Sequence, residues 1–190
     1  MEWEYCWDNF LIMDLSHYKL FKLNKFFDHR GYFFENFSKN LYEVFKEENI
    51  SFVQDNTSFS KKGTIRGLHY QWDDPMGKLI QVLKGEIVDY IVDIRANSSQ
   101  FGKVYDFRLT EEDEYILWVP PGYAHGFEAK KDSIVQYKCS SFYNPYGEGG
   151  INFFDKDLNI SRKGDKIIPI MSEKDTKAQT FAEYKSNPKF

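Results

Sequence analysis

Two of the four histidines stand where they could do chemistry: His69 in TIRGLHYQ and His125 in VPPGYAHGF. A lone strand histidine is more often a satisfied core or surface residue than a catalyst, so spacing alone selects neither. Pro120-x-Gly122-x-x-His125 has the spacing of one half of a two-part metal motif, and a metal site must be weighed. The other half would need two close histidines and a glutamate a few residues on. Here His69 is followed by Tyr70 and Gln71, and the next glutamate is Glu86. Two histidines without a third ligand make a poor metal site, so metal-free chemistry is expected.

A metal-free pocket can still abstract a proton beside a carbonyl. That step needs a base of pKa near 7, for which histidine is the usual choice. The resulting enolate needs a cation or donor at its oxygen, and Lys78 in MGKLI could supply it. Inverting a stereocentre then needs a proton donor on the opposite face, a task suited to a tyrosine hydroxyl. Tyr137 and Tyr143, in QYKCSSFYNP, are both candidates. Each also has a bland reading, since a lysine is often a solvated edge charge and the chain holds 13 tyrosines.

The elements that must position these residues are mostly strands. From Ser51 onward, runs such as FVQDNTSF, GTIRGLHYQ, VYDFRL, YILWVP, GFEA and SIVQYKCSSFY are rich in β-branched and aromatic residues. Gly, Pro, Asp and Asn punctuate them at sandwich-like intervals. KLIQVL and EIVDYIVDI read as two strands joined by a tight hairpin at Lys84-Gly85. One helix is expected over 38–48, where Leu41, Val44 and Phe45 recur at helical spacing, capped by Asn40 or by Ser38. A second starts near Ser172, because Ser172-x-x-Asp175 has capping-box spacing. Many short strands with little helix predict an all-β jelly roll, a sandwich or barrel with a few short peripheral helices. Strict alternation puts Arg66 and His69 on opposite faces of one strand, and only a bulge or twist near Gly67 would turn both to one ligand.

Composition bounds the function. At 190 residues the chain fits one domain, with residues 1–17 expected as an appendage and 18–190 as a single domain. A formal charge of −4 argues against a nucleic-acid binder. Two cysteines, Cys6 and Cys139, make no disulfide framework. The start MEWEYCWDNFLIMDL carries four acids and no Lys or Arg, unlike a secretory signal. No apolar run reaches the ~18 residues of a membrane span. A cytoplasmic protein with no membrane partner is expected.

The order of segments carries a further signal. DHRGYFFENF, FVQDNTSFSKKGTIRGLHYQ, GKLIQVLKGEIVDYIVDIR, SSQFGKVYDFRL, LWVPPGYAHGF and YKCSSFYNP strongly resemble the dTDP-4-dehydrorhamnose 3,5-epimerase family. The likeness runs from about Phe27 to Asp175. It departs at Phe153-Phe154-Asp155 and around Ser161-Arg162, where the family usually carries tryptophan-containing clusters.

The resemblance implies a cupin-type jelly roll, a homodimer exchanging N-terminal strands, and catalysis with no metal or organic cofactor. The implied substrate is a nucleotide-diphosphate 4-keto-6-deoxy sugar, inverted at C3, C5 or both, in deoxysugar and surface-polysaccharide biosynthesis. The family's base falls on His69, its orienting aspartate on Asp175, its enolate-stabilising lysine on Lys78 and its proton donor on Tyr137. Tyr143 falls on a position lining the sugar or base pocket. Arg30, Phe33, Glu35, Gln54, Asn56, Arg66 and His125 fall on ligand-contact positions. A single-centre epimerase or ketoisomerase of another nucleotide sugar is the alternative, and a non-catalytic sugar-binding jelly roll a more distant one.

Overall fold

The computed structural model describes residues 4–6, 10–15, 17–162 and 167–190. The chain opens with β1 (Glu4–Cys6), β2 (Phe10–Leu15) and β3 (Tyr18–Leu23), followed by β4 (Lys25–Asp28) and β5 (Gly31–Phe34). Helix α1 (Lys39–Glu47) precedes β6 (Gln54–Ser60), β7 (Ile65–Gln71), β8 (Lys78–Lys84) and β9 (Glu86–Asp93). Then come β10 (Val104–Thr110), β11 (Tyr115–Val119), β12 (Tyr123–Ala129), β13 (Ser133–Cys139) and β14 (Glu148–Gly150). Two short helices close the chain, α2 (Glu173–Thr176) and α3 (Phe181–Ser186).

Two antiparallel sheets make a jelly-roll sandwich: β1-β2-β3-β11-β8-β13-β6 and β10-β9-β12-β7-β14. β4 and β5 form a separate two-stranded ribbon. Period-two alternation sorts the side chains. Ile80, Val82, Ile87, Ile91, Leu117, Val119, Phe127 and Val135 fill the space between the sheets. The outer faces are also covered. Leu41 and Phe45 of α1, on one helical stripe, pack on Phe21, Leu79 and Trp118, while Phe153, Phe181 and Tyr184 of the C-terminal segment cover Leu68, Tyr70, Tyr90 and Val92. Three apolar layers instead of one account for the 18% aromatic content.

Of the two candidate caps of α1, Ser38 is the one used: its hydroxyl accepts the Leu41 N–H at 3.3 Å. Ser172 likewise caps α2, accepting the Asp175 N–H at 3.1 Å.

The expected hairpin at Lys84-Gly85 is not one. β8 and β9 belong to different sheets, and the chain crosses the sandwich at Gly85. Gly85 has φ +83°, and a Cβ there would lie 2.3 Å from the Asp132 carbonyl oxygen. A glycine between two strands marks a sharp change of direction, and a crossover uses it as readily as a hairpin does. Residues 1–17 were expected to precede the domain; β2 pairs with β3 from Phe10↔Leu23 to Leu15↔Tyr18, adding to the edge of the seven-stranded sheet. No helix of the described residues is long and apolar enough to cross a membrane.

Candidate active site

Between the two sheets opens a cavity of about 550 Å³, within the range of small-molecule sites. β7 contributes Arg66 and His69, β12 His125, β8 Lys78 and β13 Tyr137, while Met171, Lys174 and Asp175 close it from the C-terminal segment.

Arg66 and His69 do share a face, and the device is a bulge. His69 pairs with His125 and Arg66 with Phe127, so Gly67 and Leu68 together oppose Gly126 alone. The extra residue turns Leu68 outward into the core under the C-terminal segment and returns His69 to the cavity. Gly67 has φ +106°, and a Cβ there would meet the His125 carbonyl oxygen at 2.6 Å. Only glycine satisfies both the backbone and the close approach.

His69 Nε2 lies 2.6 Å from Asp175 Oδ1. Asp175 is 4% exposed. Burial alone would push its carboxyl up, but the hydrogen bond and charge of His69, with Ser172 and the Gly67 N–H, hold it below the usual carboxylate range. The capping of α2 and the contact with His69 are thus made by one residue, its backbone serving the first and its side chain the second.

A second pair, which sequence reasoning did not single out, sits across the strand boundary. His125 Nε2 is 2.9 Å from Oδ2 of Asp89, a wholly buried carboxylate on β9. Burial pushes Asp89 up, against the pull downward of His125 and Lys78. The signal was present: Asp89 stands between Ile87 and Ile91, an acid between two apolar residues of the inward face.

Lys78 is pushed below the ordinary lysine range by burial, against the opposing pull of Cys139, Glu148 and Asp89. Its Nζ lies 5.8 Å from the centroid of the Tyr137 ring. Burial pushes the Tyr137 phenol up, with Asn56 and Arg66 acting in the other direction. Arg66 donates from Nε to Ser60 Oγ (2.9 Å) and from its terminal nitrogen to the Phe59 carbonyl (3.0 Å), fixing the guanidinium at the cavity wall.

The remaining predicted residues stand apart from the cavity. Gln54 and Asn56 lie on the inward side of β6, hydrogen-bonded to each other at 2.9 Å. Tyr143 is exposed and donates to Glu148 Oε2 at 2.8 Å, and Glu148 also pairs with Lys174. Arg30, Phe33 and Glu35 lie on or beside the β4–β5 ribbon and do not line the cavity of their own chain. Arg30 is paired with Asp28 at 2.5 Å, and Phe33 is exposed. Among the described residues no group of three His, Cys, Asp or Glu is arranged to hold a metal ion.

A jelly roll with a half-buried lysine, a tyrosine and a carboxylate-held histidine around one cavity has the parts of an acid–base catalyst. Comparison with known proteins agrees. A family model described as dTDP-4-dehydrorhamnose 3,5-epimerase matches residues 13–183. A dTDP-4-dehydrorhamnose 3,5-epimerase from Methanothermobacter thermautotrophicus is 43% identical over 150 residues, covering 78% of this chain and 80% of that one. A solved epimerase from Legionella pneumophila, in complex with dTDP-4-keto-L-rhamnose, superposes with a TM-score of 0.85 at 36% identity, covering 92% and 93% of the two chains. A 3'-monoepimerase from Streptomyces bikiniensis, in complex with dTDP-quinovose, has a TM-score of 0.82 at 27% identity, covering 92% and 88%. The chain belongs to the dTDP-4-dehydrorhamnose 3,5-epimerase family.

Proposed function

We propose that this protein inverts C3 and C5 of a dTDP-linked 4-keto-6-deoxy sugar through a C4 enolate, without metal or organic cofactor. The observation that carries the reading is the 2.6 Å contact of His69 with Asp175 in a cavity shared with Lys78 and Tyr137. An ionised Asp175 calls for the proton on Nε2 of His69, leaving Nδ1 as the basic nitrogen. Nδ1 takes the proton from C3 or C5, and the electron pair moves onto the C4 oxygen. Both carbons flank that carbonyl, so one oxyanion stabiliser, Lys78, serves either step. Tyr137 returns a proton to the carbon from the other face. Arg66 holds the diphosphate, with His125 beside the sugar, and Tyr143, Gln54 and Asn56 serve the nucleotide side of the ligand.

Arg30, Phe33 and Glu35 complete the site of a second copy in a homodimer. Supporting this, Phe26, Phe27 and Phe33 are 57, 70 and 67% exposed on a ribbon that belongs to neither large sheet. Residues 18–190 would then be the catalytic domain and 1–17 an appendage, of which β2 pairs along the domain's edge. The working location is the cytoplasm.

Turnover of a dTDP-4-keto-6-deoxy sugar in deuterated water, read by mass, tests the chemistry. Two exchanged carbons are expected. A single exchanged position favours the second reading, a monoepimerase, which the likeness to the Streptomyces bikiniensis protein keeps in view. No exchange would leave a binding protein.

A further inference from the structure

The inward side of β6 presents Gln54, Asn56, Ser58 and Ser60, alternating with exposed Asp55, Thr57 and Phe59. Three of the four inward side chains have partners. Gln54 donates to Asn56, Asn56 donates to the Cys139 sulfur, and Ser60 accepts from Arg66. Ser58 differs. Its Oγ is buried and makes no hydrogen bond to another protein group, although the residue lines the cavity. Among the described residues the only other such side-chain atom is Asp89 Oδ1, whose sister oxygen is held by His125. Rotation about χ1 carries the hydroxyl among its staggered positions at little expense, so it is available to a group entering the cavity.

Its place on the strand says what it could meet. Asn56 pairs with Tyr137, Ser58 with Val135 and Ser60 with Ser133, while Arg66 is fixed on Ser60. Ser58 therefore lies between the residue that anchors the diphosphate and the residue that returns the proton, one two-residue repeat, roughly 6.6 Å, from the level of each. In a nucleotide-linked hexose the diphosphate is on C1 and the nearer reacting carbon is C3. The group between them is C2 with its hydroxyl.

We infer that Ser58 is the residue that recognises the C2 hydroxyl of the sugar, making the enzyme discriminate 2-hydroxy from 2-deoxy 4-keto substrates. This rests on the substrate orientation proposed above. A site built to bond a substrate hydroxyl rejects the analogue lacking it, because the protein group is left unpaired.

The test is a cycle with two proteins, wild type and Ser58→Ala, and two substrates, dTDP-4-keto-6-deoxyglucose and its 2-deoxy analogue. For the wild type, kcat/KM should fall by about tenfold on loss of the 2-hydroxyl, the worth of one neutral hydrogen bond. In Ser58→Ala the two substrates should agree within about twofold, while Ser58→Thr, which keeps a hydroxyl, should restore discrimination. Affinity for dTDP alone should be the same in wild type and Ser58→Ala. Equal losses on both substrates, or weakened dTDP binding, would overturn the inference and leave the epimerase reading intact. A wild type that exchanges no deuterium into the 2-hydroxy substrate would overturn both.

Discussion

His69 and His125 face one another as a register pair of β7 and β12, and each ring is held through Nε2 by a carboxylate from a different element. The two carboxylates are not equivalent. Asp175 comes from a four-residue helix at the rim and is held below its ordinary range, whereas Asp89 is buried in the middle of β9 and pushed above it. Two like residues are thereby set in unlike environments, which is how one site separates two roles.

His69→Asn should lower kcat by at least about 10²-fold, the lower end of general-base contributions. Deuterium exchange at both carbons should stop, with dTDP affinity retained. Exchange at the wild-type rate would remove His69 from the proposed mechanism.

Tyr137→Phe keeps the ring that packs beside Lys78 and deletes the phenolic proton. The variant should still exchange the C3 or C5 hydrogen with solvent but return it with unchanged configuration, so inverted product falls far more than exchange. Tyr143→Phe, altering an exposed residue bonded to Glu148, should act chiefly on KM. The opposite pattern would make Tyr143 the acid.

The Asp175 carboxyl is lowered in the folded protein, so it binds protons less readily there than in the unfolded chain. Its contribution to stability is complete above the ordinary aspartate pKa of about 3.9 and fades as pH falls through the folded value. Denaturant midpoints measured between pH 7 and pH 3 should drop less steeply for Asp175→Asn than for the wild type. Parallel curves would mean that the contact with His69 contributes no pH-linked stability.

Gly67→Ala puts a Cβ against the His125 carbonyl oxygen at a positive φ. We expect a loss of more than about 1 kcal/mol in stability, together with a fall in kcat because the bulge that aims His69 is disturbed. A variant with wild-type melting temperature and turnover would show that the bulge tolerates a side chain.

Exhaustive chelation should leave activity unchanged, since the proposed chemistry relies on Lys78 and not on a Lewis acid. Loss of turnover that a divalent ion restores would contradict it.

Much of this was legible in the sequence where one residue type sufficed. Runs of β-branched and aromatic residues between turn residues marked the strands from β6 to β13, helical spacing marked Leu41 and Phe45, and Ser172-x-x-Asp175 announced the turn that delivers Asp175. The face of His69 was legible only as a condition, a bulge at Gly67, because alternation counts residues and cannot see an extra one. Lys84-Gly85 was misread because a positive-φ glycine says that the chain turns and not which sheet it turns into. Asp89 escaped because an acid between Ile87 and Ile91 does not name its partner, and Ser58 because its lack of a protein partner has no sequence signature. β1 to β5 went unassigned for want of clear alternation between strand runs and turn residues.

The crossing at Gly85 also bears on how the chain reaches its native state. Because β8 does not zip onto β9, it must find β11 and β13, while β7 must find β12 and β14. Such non-local pairing places the protein among the slower-folding topologies, with loops to close before contacts reward them. The His69–Asp175 contact spans 106 residues and joins strand to C-terminal helix. Turnover can therefore return during refolding only once the C-terminal segment has docked against β7, and recovery of strand content alone does not report it.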